Sequence, residues 1–177
     1  MNSKKIISNF INPKFIPVII FTILPPWIFG LMVLLCGSLP TYLRAKKSIA
    51  KLESRGELDK AAAELTSPNS KRYMNGKLVL TDNYVFCKNN GYIFTYDEIL
   101  WAYKHQETTT FLFIPIQVVS SLYIATKTKQ PGMVVSMGKD KLDEIKNSII
   151  EIYSHNNNCL IGYTNDAIAK YNAIKKK

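Results

Sequence analysis

Histidine is nearly missing from this chain, with only His105 and His155 among 177 residues. Cysteine is scarce as well: Cys36, Cys87 and Cys159 are the full set. So few and so scattered, these residues form no HExxH or CxxC pattern, and neither a GxSxG elbow nor a Gly-rich phosphate loop occurs. Three cysteines exclude a disulfide framework, and no metal or cofactor is expected. Eight glycines and eight prolines exclude collagen-like and low-complexity composition. A hydrophobic content of 47% excludes an intrinsically disordered chain and suffices for one domain with a core plus a smaller element.

Acidic residues are absent from the first 51 positions, which hold Lys4, Lys5, Lys14, Arg44, Lys46, Lys47 and Lys51. Lys175, Lys176 and Lys177 close the chain. The remaining 13 basic residues share positions 52–174 with all 13 acidic ones, so that stretch has no net charge. The overall charge of +10 therefore belongs to the two ends. A neutral globular part has no excess charge for phosphate binding, and no nucleic-acid partner is expected.

Most of the N-terminal basic residues flank the one long apolar run. Residues 15–36, FIPVIIFTILPPWIFGLMVLLC, carry no charge over 22 positions. That length matches the roughly 20 apolar residues a helix needs to span a bilayer. Pro25 and Pro26 interrupt it, each removing a backbone donor. Two readings are open: a kinked transmembrane helix, or a re-entrant hairpin with the prolines at its tip, whose arms reach about 15 Å each. A single span leaves one basic cluster on the outer face against the positive-inside tendency, whereas a hairpin keeps both inside. Trp27 near the middle suits neither reading, since Trp prefers the interfaces. The run is too long for a secretory h-region, and Leu35 precedes Cys36 where a lipoprotein signal would have a small residue. Unflanked Cys87 and Cys159 suit a reducing compartment, so the expected location is the cell membrane with the soluble part in the cytoplasm.

The expected organisation is a basic flank over 1–14, a membrane segment over 15–38, a juxtamembrane helical linker over 41–67 and a domain over 68–177. The linker reads as one helix stopping near Gly56 and a second over 57–65, ended by Pro68. Arg44, Lys46, Lys47 and Lys51 lie close to the bilayer exit. They are candidate contacts for anionic lipid head groups, at about 1 kcal/mol per cation.

From residue 71 the period changes to two. Asn75-Gly76 between KRYM and KLVL is a hairpin signal. Strands are expected over 84–87, 92–96, 99–103, 116–126 and 133–137, with Ile99, Trp101 and Tyr103 on one face and a loop over 105–115. About seven short antiparallel strands argue for a small sandwich or barrel. An amphipathic helix follows, capped by Asp140, with Leu142, Ile145, Ile149 and Ile152 as its apolar stripe. A short extended piece over 159–163 and a helix over 164–174 complete the α+β chain.

The segment LTDNYVF…GYIFTYDEILWAYK, residues 80–104, resembles the "L-T-x-x-x-h…h-x-Y-x-x-I" signature of bacterial PH-like and GRAM-like domains. The chain is similar to membrane-anchored proteins of low-GC Gram-positive bacteria that carry such a domain, over roughly residues 41–175. The resemblance implies a PH-like antiparallel sandwich or barrel closed by a C-terminal helix. Lys71, Arg72, Lys77 and Lys88 do not follow the inositide-binding pattern, so inositide binding is not carried over. The expected function is a non-catalytic binding or scaffold module, with the bilayer, a protein partner or a second copy as partners. Trp101 and Tyr103 are candidates for a groove, or else core residues, and Phe111 and Phe113 for a loop tip that dips into the bilayer. Two alternatives are an exported domain on the outer face, and a small enzyme using Cys87, His105 or Asp97.

Overall fold

The structure, a computed structural model, describes residues 2–11, 39–111, 114–126, 133–137 and 142–175. The apolar run 15–36, Phe113, the turn 127–132 and the Asp140 cap lie outside the described residues. Among the described residues, no helix is long and apolar enough to cross a membrane. The chain divides into two compact units, Met1–Asn69 with Phe86–Ile93, and Ser70–Val85 with Phe94–Lys177.

The first unit is helical. Helix α1, Ser3–Ile11, lies within the stretch read as a basic flank. The reason is an i, i+4 apolar pair: Ile7 and Ile11 are 0% and 1% exposed, while Lys4, Lys5 and Asn9 face solvent. Helix α2, Leu39–Ser54, carries Pro40 in its first turn, where a missing N–H costs nothing. It buries Ala45, Ser48, Ile49 and Leu52. The stop comes at Gly56, as expected. With φ at +69°, Gly56 donates to the Glu53 carbonyl and Glu57 donates to that of Leu52. This paired closure satisfies two end carbonyls and requires a left-handed residue. Helix α3, Leu58–Thr66, buries Ala61, Ala62 and Leu65. Helix α1 contacts α2, α3 and the 3-10 turn Lys88–Asn90. Residues 41–67 are thus part of a packed unit, because their apolar faces have partners.

Gly91 fits that packing closely. Its φ is +70°, and a Cβ there would overlap the Thr41 carbonyl oxygen and lie 2.9 Å from the Ala45 nitrogen. Ser48 Oγ donates to the Gly91 carbonyl at 3.1 Å.

The second unit holds most of the strands. Strands β1, Lys71–Tyr73, and β2, Leu78–Leu80, pair antiparallel with Lys71 opposite Leu80. The hairpin is where Asn75-Gly76 put it, but the loop spans 74–77, with Met74, Asn75 and Gly76 all at positive φ. Extending the loop buries Met74 to 2% exposure, with its N–H donated to the Glu144 carboxylate. Strand β3, Tyr84–Cys87, follows a turn locked by Thr81, whose Oγ accepts the Tyr84 N–H at 3.1 Å. Strand β4, Tyr92–Thr95, leads into the 3-10 turn Tyr96–Glu98. Strands β3 and β4 each begin in one unit and end in the other.

Strands β5, Ile99–Phe111, and β6, Ile114–Thr126, form one long antiparallel hairpin. The expected loop over 105–115 is therefore strand for most of its length. Thr108, Thr109 and Thr110 are β-branched, and their backbone pairs with Val118, Gln117 and Pro115 of β6. Strand β7, Met133–Met137, pairs with β6. Helix α4, Leu142–His155, comes next. Strand β8, Leu160–Ile161, runs parallel to β5, and helix α5, Asn165–Lys175, ends the described chain.

The class is α+β, with five helices and two four-stranded sheets among the described residues, ordered β1-β2-β3-β4 and β7-β6-β5-β8. Among the described residues these sheets do not close into a barrel, and eight strands stand where about seven were expected. Ile99 and Trp101 do not share a face as expected. The register shifts between them, so Ile99 pairs with Thr126 and Trp101 with Ala125, neighbours that point to opposite faces. Helix α4 contacts β1, β2, β5 and β6 through a face holding Ile145, Ser148 and Ile152, with Leu142 left exposed.

Gly76 and Gly91, both at positive φ, make a matched test. Gly76→Ala meets only the left-handed backbone penalty of about 1 kcal/mol, since nothing lies within 4 Å of its Cβ site. Gly91→Ala adds a backbone clash and is expected to cost about 3 kcal/mol. Chemical denaturation at unchanged slope measures both.

Candidate functional site

Between α1 and α2 the first unit opens a cavity of about 410 Å³. Ile49 and Ala50 supply apolar lining, and Lys4, Ser8, Tyr42 and Lys46 bring ammonium and hydroxyl groups. Lys4 Nζ lies 2.9 Å from Glu53 Oε2, both side chains about half exposed, so the pair contributes little net stability. Glu53 lines the cavity too and offsets the charge of Lys4, so Lys46 supplies its excess positive charge.

The four basic candidates on α2 divide. Arg44, Lys47 and Lys51 follow i, i+3, i+7 spacing along one stripe. Arg44 and Lys47 are exposed there and Lys51 is half-buried. The Arg44 guanidinium sits 5.5 Å from the centre of the Tyr92 ring, a cation–π contact. Lys46 instead lines the cavity. Spacing alone could have separated Lys46 from the other three.

Trp101 and Tyr103 are 5% and 7% exposed and form a core cluster with Ala125 and Ala167. Their rings are tilted at 4.3 Å, and Tyr123, Tyr163 and Tyr171 complete the group. The Trp101 indole N–H donates to the Gly162 carbonyl at 2.7 Å. Burial, reinforced by Tyr123, Tyr163 and Tyr171, holds the Tyr103 hydroxyl well above its ordinary pKa. The structure therefore assigns these two residues to packing. Phe111 is the last residue of β5.

The enzyme candidates are also placed. Cys87 is fully buried in β3, and burial pushes its thiol far up. Cys159, 3% exposed, is pushed up to about 11, chiefly by burial. Low thiolate content makes both poor nucleophiles at neutral pH. His105 Nε2 is 3.1 Å from Glu107 Oε1 on the exposed part of β5, and Asp97 is exposed in the 3-10 turn. Among the described residues, no group of three His, Cys, Asp or Glu could hold a metal ion.

One polar cluster went unread in the sequence. His155 stacks on Tyr96 at 4.3 Å, and Lys71 Nζ reaches Glu151 at 2.8 Å. Asn156 Nδ2 donates to the carbonyls of Tyr96 and Ile99, at 2.7 and 3.0 Å. These partners are 57 to 80 positions apart in the chain, and no local pattern announces them. No family model matches the chain, nor does any curated protein or solved structure.

Two outcomes follow from this geometry. Trp101→Ala is expected to cost about 3–5 kcal/mol of folding stability, as for a core aromatic; calorimetry or denaturant unfolding checks it, and an unchanged stability would point to a binding surface instead. The folded protein holds the Cys159 proton more tightly than the unfolded chain does. Stability is therefore full below about pH 9 and falls as pH rises towards 11. Denaturant midpoints across that window should fall less in Cys159→Ala than in the parent.

Proposed function

We propose that this protein is a membrane-anchored, cytoplasm-facing, non-catalytic binding module with a PH-like domain. The observation that carries the reading is the 22-residue uncharged run placed between two helices with exposed basic residues, Lys4 and Lys5 on α1 and Arg44, Lys46 and Lys47 on α2. Apolar burial would hold the chain in the bilayer, and the cations would lie at head-group depth, where each attracts anionic lipid by about 1 kcal/mol. The order of strands supports the PH-like part. A four-stranded meander, β1 to β4, is followed by a three-stranded one, β5 to β7, and then by the amphipathic α4. The buried thiols and the burial of Trp101 and Tyr103 favour a binding role exercised at the cavity and the helical surface.

Fractionation of the expressed chain tests the anchor. The chain is expected to sediment with membranes, to stay there through high-salt and alkaline washes, and to be released by detergent. Recovery in the soluble fraction would remove the membrane reading.

A further inference from the structure

We infer that α1 and α2, the two flanks of the apolar run, lie on the same side of the bilayer, so that the run enters and leaves the membrane through one face. The inference rests on the membrane reading above and decides between a single span and a re-entrant insertion.

The argument starts from packing. Helix α1 precedes the run and α2 follows it, yet both belong to one compact unit. Ile7 and Ile11 of α1 are buried to within 1% of full enclosure, and α1 contacts both α2 and α3. The Lys4–Glu53 ion pair and the shared cavity mark the same two helices as neighbours. A chain crossing the bilayer once between Ile11 and Leu39 would put about 30 Å of hydrocarbon between these helices. None of those contacts could then form, and Ile7 and Ile11 would lose the surface that buries them.

The run itself agrees. Pro25 stands thirteen positions from each end of residues 12–38. Each half of the uncharged run, if helical, reaches about 15 Å, half of the hydrocarbon core. The Pro25-Pro26 pair at that midpoint lacks two backbone donors. Charge agrees too. With both flanks on one side, Lys4, Lys5, Arg44, Lys46, Lys47 and Lys51 all share a face, as the positive-inside tendency requires.

The test uses full-length chain in a Cys36→Ser background, where the remaining thiols, Cys87 and Cys159, are buried. Asn9→Cys on α1 and Asn69→Cys after α3 each add one exposed thiol. After membrane fractionation has established that the chain is in the bilayer, a membrane-impermeant maleimide is applied to intact cells and to inverted vesicles. Both positions are expected to label in the inverted vesicles and neither in intact cells. Labelling of both in intact cells would keep the shared side and overturn only the cytoplasmic orientation. Labelling of the two positions from opposite sides would overturn the inference while leaving the membrane reading intact. A second measurement is independent of orientation. A short bis-maleimide should bridge Lys4→Cys and Glu53→Cys within one chain in membranes, and failure to bridge in a variant that retains its folded unfolding transition would also overturn it.

Discussion

Burial of Ile7 and Ile11 is the constraint on which the helical unit depends. Helix α1 has nine residues, too few to be stable alone in water. It exists because each of those side chains gains about 1.5–3 kcal/mol on leaving water. The surface that receives them is made by α2, α3 and the turn at Lys88–Asn90. The dependence is mutual, since α2 also accepts the close approach of Gly91 and the Ser48 hydroxyl bond that goes with it.

In the other unit the equivalent role falls to the pair β5 and β6. One side of β5 carries Trp101 and Tyr103 against α5, and Ile99 and Ala102 lie on the other. The bulge at Leu100 makes this possible by switching the strand's alternation, so that Ile99 and Trp101 are both buried but on different faces. Short parallel pairing with β8, and the indole bond to Gly162, tie the last part of the chain to the same strand. Asn156 does the same at the end of α4 by donating to two carbonyls across the turn before β5.

Much of this was legible locally. Turn chemistry at Asn75-Gly76, the stop at Gly56 and the stripe on α4 depend on near neighbours, and the residues concerned announce them. What failed to show was longer in range. Helix α1 was hidden because Lys4 and Lys5 marked the stretch as a basic flank, although Ile7 and Ile11 have helical spacing. The outer part of the β5–β6 hairpin was hidden because threonines and a proline read as loop when no partner strand is in view. The bulge at Leu100 leaves no residue signature. For the candidate site, the basic residues of α2 were found from charge, but the cavity lined by Lys46 needed α1 as its other wall.

The helical unit is discontinuous in sequence, assembled from Met1–Asn69 and the later segment Phe86–Ile93. A ribosome delivers these pieces in order, and at about 5–20 residues per second the second arrives seconds after the first. During that interval α1 and α2 have already emerged, while the surface that seats α1 still lacks Phe86 and the turn at Lys88–Asn90. The late arrival of one small segment thus sets the order of events: the helical unit closes only after Phe86–Ile93 has joined it.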